Sequence, residues 1–294
     1  MRLLLITSYY APDAGAAAVR LTRLATQLAA RGHQVTVLTA MPHYPQGRIA
    51  DGYRGRLTMT ETLDGVRVVR VWLHATPSPK ISRRLLSQLS LMLMLMVRGI
   101  WLPRPDVMLI EAQPMFTNFA GALLGVLKRV PYVQNVSDLW PDHLLSVGSM
   151  TATHPVYRLA RALTDAAYRG AAGIAAMSPA WAASITRYTD GRAQPTVIYN
   201  GVDLTRFAPT VDGMAFKQQH GLVGKRIVAF IGAFTTQNDF PTLLALAERL
   251  RSRPDVLVVL VGGGAQESLV TARLAQGDLP NLRWLGWLEY AQLP

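Results

Sequence analysis

Hydrophobic and polar positions follow one recurring order along the chain: a short apolar run, a loop that contains glycine, and an amphipathic segment. The order begins at Arg2–Ser8 and begins again at Lys225–Ile231. Short continuous apolar runs are typical of strands buried in a parallel sheet. The two starts therefore predict an α/β fold with two Rossmann-like, doubly wound parallel-sheet domains.

The amphipathic segment after the first strand has an apolar stripe at helical spacing. The stripe consists of Leu21, Leu24, Ala25, Leu28 and Ala29. The polar residues Arg20, Arg23, Gln27 and Arg31 fall on the other side of this helix. Gly32 predicts a left-handed end to this helix.

The rest of the chain alternates between strand and helix patterns. Predicted strands are Gln34–Thr39, Thr58–Leu63, Val66–Trp72, Asp106–Ile110, Tyr132–Asn135, Gly173–Met177, Thr196–Tyr199, Arg226–Ile231, Val256–Val261 and Leu282–Leu285. Predicted helices are Leu85–Leu102, Phe116–Lys128, Pro155–Arg169, Pro179–Tyr188, Asp239–Arg251 and Gln266–Ala275, and Tyr290–Pro294 predicts the start of another. Asp64-Gly65 predicts a tight hairpin turn between two of the strands.

The polar, proline-containing segment Asn200–Val211 is typical of a linker. We therefore expect one domain at residues 1–203 and a second at 204–294. The second domain has only about half of the elements that such a domain normally needs. One edge of its sheet is expected to be open, with apolar surface beside it.

Positive charge is concentrated in the first domain. Residues 1–205 hold 21 Lys and Arg against 11 Asp and Glu, whereas residues 206–294 hold 9 against 7. This asymmetry predicts an anionic partner such as a diphosphate or a lipid headgroup, with a plain solubility surface as the alternative. The sequence contains no nucleic-acid-binding motif, so we expect no nucleic acid partner.

Cysteine is absent and the histidines lack metal-ligand spacing, so we expect no metal site. We also expect no cofactor. The N-terminus does not resemble a signal peptide, and a cytoplasmic location is expected. Leu85–Leu102 is apolar but is interrupted by Arg98, which argues against a membrane span. Basic residues on both sides indicate a helix that lies on an anionic membrane surface, and packing under the sheet remains the alternative.

Three loops at predicted strand ends hold candidate functional residues. Gly15 precedes a helix, and its backbone can approach an anion closely. Gly262–Gly264 also follows a strand, but it does not match G-x-G-x-x-G, which disfavours a nicotinamide dehydrogenase. In Ser137–His143, Asp138 and Trp140 could bind and stack a sugar or act as an acid or base. The alternative is that Asp138 caps the next helix.

Longer motifs resemble one enzyme family. YYAPDAGAAAVRLTRLATQLAARGHQVTVLTAMPHYPQGRI and VSDLWPDHLLSVG resemble family-4 GT-B glycosyltransferases, especially the colanic-acid (exopolysaccharide) branch. PTVIYNGVDLTRF is similar to the segment between the family's two lobes. LVVLVGGGAQESL and LPNLRWLGWLEYAQLP are similar to the middle of the second lobe. The resemblance covers essentially the whole chain.

The resemblance implies a retaining sugar transfer from a nucleotide-diphosphate donor, without a metal, in a cleft between the lobes. It implies an acceptor such as a polyprenyl-diphosphate-linked glycan at the inner face of the cytoplasmic membrane, in cell-surface polysaccharide synthesis. By motif position, Gly15, Gly232, Asn238, Gly263 and Glu267 would contact the nucleotide-sugar donor. Asp138, Trp140 and His143 would lie on the acceptor side, with Asp138 as the catalytic candidate. Asn200, Gly201 and Asp203 would lie between the lobes.

The chain departs from the family pattern in two places. The loop Gly232–Asp239 lacks the Arg and Lys that family members commonly place there. The family's paired glutamates, with seven residues between them, would lie beyond Pro294. We therefore interpret the chain as a C-terminally truncated, inactive fragment. The alternatives are a nucleotide-sugar 2-epimerase-like enzyme and a non-catalytic remnant or membrane-surface scaffold.

Overall fold

Two α/β units follow each other along the chain. The computed structural model describes residues 1–78, 80–146, 148, 150–235, 238–289 and 292–293. The units are Met1–Gly201 and Val202–Pro294, so the division falls at the start of the segment that the sequence indicates as a linker. Each unit is built on its own sheet, and the α/β fold class matches the expectation from the sequence.

The sheet of the first unit has eight strands. They are β1 (Arg2–Ile6), β2 (Gln34–Ala40), β3 (Thr58–Leu63), β4 (Val66–Val71), β5 (Val107–Glu111), β6 (Tyr132–Val136), β7 (Gly173–Ala176) and β8 (Thr196–Val197). Their order is β3-β4-β2-β1-β5-β6-β7-β8. All neighbours pair in parallel except β3 and β4, which form the predicted hairpin around Asp64-Gly65.

Helices cover both faces of this sheet. They are α1 (Ala16–Ala30), α2 (Ile81–Ile100), α3 (Met115–Lys128), α4 (His143–Ser146), α5 (Pro155–Arg169) and α6 (Pro179–Tyr188). Leu21 and Ala25 of α1 pack into one buried cluster with β1, β2 and β4. Leu91 of α2 and Leu124 of α3 belong to a separate cluster that also contains residues of β1, β2, β4, β5 and β6. This arrangement is the predicted doubly wound sandwich.

The second unit has a three-stranded parallel sheet in the order β11-β10-β9. Its elements are α7 (Met214–Gln219), β9 (Arg226–Ile231), α8 (Phe240–Arg249), β10 (Val256–Val261), α9 (Glu267–Leu274) and β11 (Leu282–Trp284). Phe234, Phe240 and Leu260 lie in its core. Among the described residues, β9 pairs on one side only, and Ile231 is 58% exposed. The sequence predicts this open edge.

Several details differ from the sequence-based predictions. Leu24 lies outside the buried stripe of α1 and is exposed, because the buried line runs through Ala18, Leu21 and Ala25. The six-residue helix α7 is not predicted, since its sequence MAFKQQ has no apolar periodicity. The helix that we expect to begin in Tyr290–Pro294 falls mostly outside the described residues. None of the described helices is both long and apolar enough to cross a membrane.

Candidate active site

Polar side chains gather where the parallel strands of the first unit end. Ser8 follows β1, Glu111 ends β5 and Ser137 follows β6. The carboxyl ends of parallel strands are where open α/β sheets bind ligands. The Ser8 hydroxyl lies 2.6 Å from the Thr117 hydroxyl at the start of α3, within hydrogen-bonding distance. This edge of the sheet is therefore the candidate binding site of the first unit.

Glu111 is the centre of a hydrogen-bond network at this edge. Its carboxylate is almost fully buried and accepts hydrogen bonds from Arg20 Nη2 at 2.9 Å and from Asn135 Nδ2 at 2.6 Å. It also accepts a hydrogen bond from the Ser137 hydroxyl. Burying a carboxylate is costly unless it is paired and hydrogen-bonded, and here both conditions are met. The network joins α1, β5 and β6.

Arg20 lies on the polar side of α1, as predicted, but it is largely buried. Its guanidinium is 19% exposed and pairs with Glu111, and Nη1 donates to Asn200 Oδ1 at 3.3 Å. The reason is that a buried carboxylate at the end of β5 needs a cation. Neither Arg20 nor Glu111 was singled out from the sequence as functional. The sequence does contain one signal for Glu111: it is an acidic residue that directly follows the apolar run VMLI.

Asp138, Trp140 and His143 lie close together. Asp138 Oδ2 accepts a hydrogen bond from Gln113 Nε2 at 3.3 Å and lies 3.8 Å from His143 Nδ1. The rings of Trp140 and His143 are tilted, with centroids 5.2 Å apart. Asp138 Oδ1 accepts from the amide of Leu139 at 2.9 Å, and α4 begins only at His143. The alternative role of Asp138 as a helix cap therefore does not hold.

One polar atom of this cluster is buried without a partner. Trp140 Nε1 has no hydrogen-bond partner among the residues that the structure describes. Buried polar atoms in proteins are normally hydrogen-bonded, so this atom needs an explanation. A bound polar ligand would supply one, because Trp140 Nε1 can donate a hydrogen bond to a hydroxyl oxygen.

Asp142 fixes the loop that carries the cluster. Its carboxylate accepts hydrogen bonds from the Tyr157 hydroxyl at 2.5 Å and from Arg161 Nη1 at 3.3 Å. Arg161 in turn lies 4.2 Å from the ring centroid of Tyr188 in α6. Burial, together with the Asp142 carboxylate, raises the pKa of Tyr157 well above its ordinary value. These contacts anchor the loop to α5 and α6.

The Gly15 loop is closely packed and held by a buried acid. Asp13 Oδ1 accepts hydrogen bonds from the amides of His43 and Tyr44, both at 2.8 Å. A Cβ at Gly15 would lie 3.0 Å from Tyr44 Cε1, and the φ of +154° is one that other residues rarely adopt. No side chain caps α1, so its first amides are available to a ligand. Gly15 therefore lies directly before α1, as the sequence predicts, with the Tyr44 ring packed against it.

Two residues that the sequence analysis missed support this loop. Arg70 of β4 is fully buried, donates to the carbonyl of Ala11 and to Glu61, and lies 5.2 Å from the centroid of the Tyr53 ring. Burial raises the pKa of the Asp13 carboxyl above its ordinary range. It also raises the pKa of Tyr9 to about 12. Charged residues on strands and loops are usually exposed, which is why neither Arg70 nor Asp13 was a candidate.

The carboxyl edge of the second sheet is built from close backbone contacts. A Cβ at Gly262 would lie only 1.9 Å from the carbonyl oxygen of Gly232. The two loops can pack together because position 262 has no side chain. Asn238 Oδ1 accepts hydrogen bonds from the Thr235 amide at 3.2 Å and hydroxyl at 2.6 Å, and Gln266 Nε2 donates to the Asn238 carbonyl at 2.8 Å. Thr236 and Gln237 of this loop lie outside the described residues.

Gly263, Glu267 and Trp287 meet at the same edge. A Cβ at Gly263 would lie 2.6 Å from Trp287 Nε1 and 2.8 Å from Glu267 Oε2. Glu267 Oε2 accepts a hydrogen bond from the Gly264 amide at 3.3 Å. Trp287 is 60% exposed and was not among the predicted site residues, although a Trp shortly after a strand was a visible signal. The structure thus brings together two of the predicted residues and adds a third.

The predicted interlobe residues make local contacts. Asn200 accepts from Arg20, as described above. Asp203 Oδ1 accepts from the Thr205 amide at 3.1 Å and hydroxyl at 2.7 Å, and the Phe207 amide donates to the Asp203 carbonyl at 2.8 Å. Asp203 therefore begins a turn. No atom lies within 4 Å of a Cβ at Gly201. Within the described part of the chain, no group of three or more potential metal ligands is found.

Comparison with known proteins gives one family match and one curated relative. Residues 15–201 match the glycosyl transferase 4-like domain. The putative colanic acid biosynthesis glycosyl transferase WcaI of Escherichia coli (strain K12) is 24% identical over 306 aligned positions. The alignment covers 100% of this chain and 74% of that protein. This relative agrees with the colanic-acid resemblance of the sequence.

Solved structures share the fold at low sequence identity. Sucrose-phosphate synthase from Thermosynechococcus elongatus aligns with a TM-score of 0.70 and 16% identity, over 99% of this chain and 72% of that chain. Anabaena Alr3699/HepE in complex with UDP-glucose aligns with a TM-score of 0.65 and 20% identity, over 100% and 71%. Two UDP-N-acetylglucosamine 2-epimerases, one of them putative, also share the fold at TM-scores of 0.59 and 0.60, so the fold alone does not identify the reaction. The matched domain does identify the family: the chain belongs to the glycosyl transferase 4-like family.

Proposed function

We propose that the protein transfers a sugar from a nucleotide-diphosphate donor to a lipid-linked glycan acceptor, with retention of the anomeric configuration, in the synthesis of a cell-surface polysaccharide. The observation that carries the proposal is the cluster of Asp138, Trp140 and His143 at the carboxyl edge of the first sheet. A carboxylate beside aromatic rings suits a sugar, because the carboxylate accepts hydrogen bonds from hydroxyls and the rings pack against C–H faces.

On the acceptor side, Asp138 is the candidate for the catalytic role. In the reaction the bond between the anomeric carbon and the diphosphate oxygen breaks, and the acceptor hydroxyl oxygen bonds to that carbon on the same face of the sugar ring, so that the configuration is retained. The hydroxyl proton must leave, and Asp138 could accept it. The hydrogen bond from Gln113 holds the Asp138 carboxylate in place. Trp140 would stack on the acceptor sugar, and His143 would orient Asp138 from its other side.

On the nucleotide side, the proposal assigns the donor diphosphate to the second unit. Gly232 and Gly263 would let backbone amides approach the phosphates, and Asn238 and Glu267 would lie beside the phosphates and the nucleotide. The loop has no Arg or Lys, so hydroxyl and amide groups replace charge-assisted hydrogen bonds, which are about twice as strong. We therefore expect modest donor affinity. The HepE complex with UDP-glucose supports a nucleotide sugar as the ligand class.

The lipid-linked acceptor is supported by the charge of the first unit. Its excess of 21 Lys and Arg over 11 Asp and Glu in residues 1–205 favours an acceptor that carries phosphate. A polyprenyl diphosphate carries such a group. As the family resemblance implies, we propose that the reaction uses neither a resident metal nor a cofactor.

The experiment that tests this function uses the full-length protein with a panel of sugar-labelled nucleotide sugars and a membrane lipid extract. Label in the lipid fraction, retained when EDTA is present, supports sugar transfer. Label that remains in a free but altered nucleotide sugar supports a 2-epimerase instead. An absence of both product and nucleotide-sugar binding supports a non-catalytic scaffold. The Asp138→Asn variant should lose the lipid label, and Asp190→Asn, at an exposed position away from the cluster, is the matched control.

A further inference from the structure

The outer face of α2 is apolar from Leu85 to the end of the helix. The exposed large apolar side chains of α2 are Ile81, Leu85, Leu86, Leu89, Leu93, Val97 and Ile100, and Trp101 directly after the helix is exposed as well. Leu93 is 62% exposed and Trp101 is 80% exposed. The opposite face of the helix packs into the core through Leu91, Leu95 and Gly99. The helix thus has one apolar face that the fold uses and a second that the described residues leave open.

Helix α3 extends this open face. Leu123, Val126 and Leu127 are exposed on it. The two helices pack so closely that a Cβ at Gly99 would lie 2.5 Å from Leu124 Cδ1. Lys128 Nζ donates to the carbonyls of Ile100 at 2.9 Å and Leu102 at 2.8 Å, which ties the ends of the helices together. The exposed residues of both helices therefore form one patch, called here the α2–α3 surface.

Positive charge flanks the α2–α3 surface at both ends. Lys80, Arg83 and Arg84 lie at the start of α2, and Arg98 and Arg104 lie at or beyond its last turn. No Asp or Glu occurs from Lys80 to Pro105. Trp101, at the end of the helix, is the amphipathic side chain that prefers the boundary between water and lipid headgroups. Charge and apolar area together complement an anionic membrane surface better than a neutral protein partner.

We propose that the α2–α3 surface docks on an anionic lipid bilayer, with α2 lying in the plane of the interface. Single exposed apolar residues are common, but a contiguous patch of this extent on a rigid helix pair marks an interaction site. A basic, one-sided apolar helix is the arrangement that binds bilayers by combining apolar insertion with attraction to anionic lipids. This membrane proposal rests on the proposed function, because transfer to a lipid-linked acceptor requires the protein to reach the bilayer in which that acceptor resides.

Vesicle co-sedimentation of the full-length protein tests the proposal without any sugar donor or acceptor, so its failure is separate from failure of the proposed function. Vesicles of phosphatidylcholine alone are compared with vesicles that also contain phosphatidylglycerol. We expect binding to the anionic vesicles that weakens in high salt. Leu89→Asp/Leu93→Asp should lower the partition coefficient at least about tenfold. Arg83→Gln/Arg84→Gln should lower it about tenfold on anionic vesicles only.

Matched controls keep the result interpretable. Leu57→Asp/Val223→Asp changes two exposed apolar residues elsewhere, and Arg31→Gln/Arg56→Gln removes two exposed charges elsewhere; both should bind like the unaltered protein. Circular dichroism verifies folding of every variant. Equal binding of Leu89→Asp/Leu93→Asp and the unaltered protein, or no preference for anionic vesicles, would overturn the proposal. The surface would instead bind a second copy of the chain if the unaltered protein binds no vesicles, is a dimer in light scattering, and becomes a monomer in the Leu89→Asp/Leu93→Asp variant.

Discussion

Arg20 of α1 and Glu111 at the end of β5 form an ion pair of 2.9 Å, and the Glu111 carboxylate is only 2% exposed. Removing one partner of a buried pair leaves an uncompensated charge, which is strongly destabilising. We expect Arg20→Met to lower the free energy of unfolding by about 3 kcal/mol. Urea denaturation followed by circular dichroism measures this. A loss no larger than that of the exposed control Arg31→Met would contradict the network described for Glu111.

The double variant Arg20→Met/Glu111→Gln separates the charge from the hydrogen bonds. Asn135 donates to one carboxylate oxygen of Glu111 and Ser137 to the other. The amide oxygen introduced at position 111 could keep the bond from Asn135, and its NH2 group could donate to the Ser137 hydroxyl oxygen. No charge would remain buried, so most of the lost stability should return. The coupling between the two substitutions is read from the double-mutant cycle. Additive losses would show that Arg20 does not compensate the Glu111 charge.

Asp13 predicts a pH dependence of stability. Burial raises the pKa of its carboxyl in the folded protein above the unfolded value of about 3.9, despite the hydrogen bonds from His43 and Tyr44. The folded state therefore holds more protons than the unfolded state just above about pH 4, and this group's contribution to stability decreases as pH rises through its folded pKa. Asp13→Asn retains an oxygen for both amides and removes the titration.

The expected result is that Asp13→Asn gains stability relative to the unaltered protein as pH rises from about 4 to about 7. Urea denaturation at several pH values in this range gives the difference directly. The difference should level off once the pH exceeds the folded pKa of Asp13. A difference that is independent of pH would mean that the Asp13 carboxyl does not have a raised pKa.

Gly263 tests the nucleotide side. A Cβ there would lie within 2.8 Å of both Trp287 Nε1 and Glu267 Oε2, so Gly263→Ala must displace both side chains. We expect the dissociation constant for the nucleotide sugar to rise about tenfold, which corresponds to a loss of roughly 1.4 kcal/mol in binding free energy. Gly213→Ala is the control, because its Cβ meets no atom within 4 Å. Isothermal titration calorimetry of both variants measures the two affinities. Equal affinities would show that the carboxyl edge of the second sheet does not bind the nucleotide sugar.

Asp138 tests the acceptor side. Asp138→Asn keeps an oxygen for the Gln113 hydrogen bond but cannot accept the hydroxyl proton at neutral pH. We expect kcat to fall about 100-fold, with little change in KM for the nucleotide sugar. Steady-state kinetics of this variant and of Asp190→Asn provide the measurement. A change in KM alone would make Asp138 a binding residue rather than a catalytic one.

Regular elements could be predicted from the sequence where local signals agree. The bounds of α5 and α6 are as predicted, because Pro155 and Pro179 occupy first-turn positions and the apolar spacing continues to the last residue. The strands β9 and β10 also have the predicted bounds, since each is a continuous apolar run. In these segments the residues that determine where the helix or strand begins and ends lie close together in the sequence.

Contacts between distant residues could not be predicted in this way. Arg20 has the polar-face position of a solvent-exposed arginine, and its partner Glu111 lies 91 residues further along the chain. Asp13 is held by amides of a different loop, and Trp287 reaches Gly263 across a strand and a helix. Asp138, Trp140 and His143 were predictable because they share one short segment at a strand end. The network that positions them depends on tertiary packing.

The most direct test of the proposed sugar transfer follows two labels in one nucleotide-sugar donor, one in the sugar carbon and one in the β-phosphorus. The full-length protein is incubated with this donor and membrane lipid extract, and the lipid and aqueous fractions are separated. We expect the sugar label to enter the lipid fraction while the phosphorus label stays in the aqueous nucleoside diphosphate. Passage of both labels together into lipid, or of neither in the presence of a donor that binds, would contradict the proposed sugar transfer.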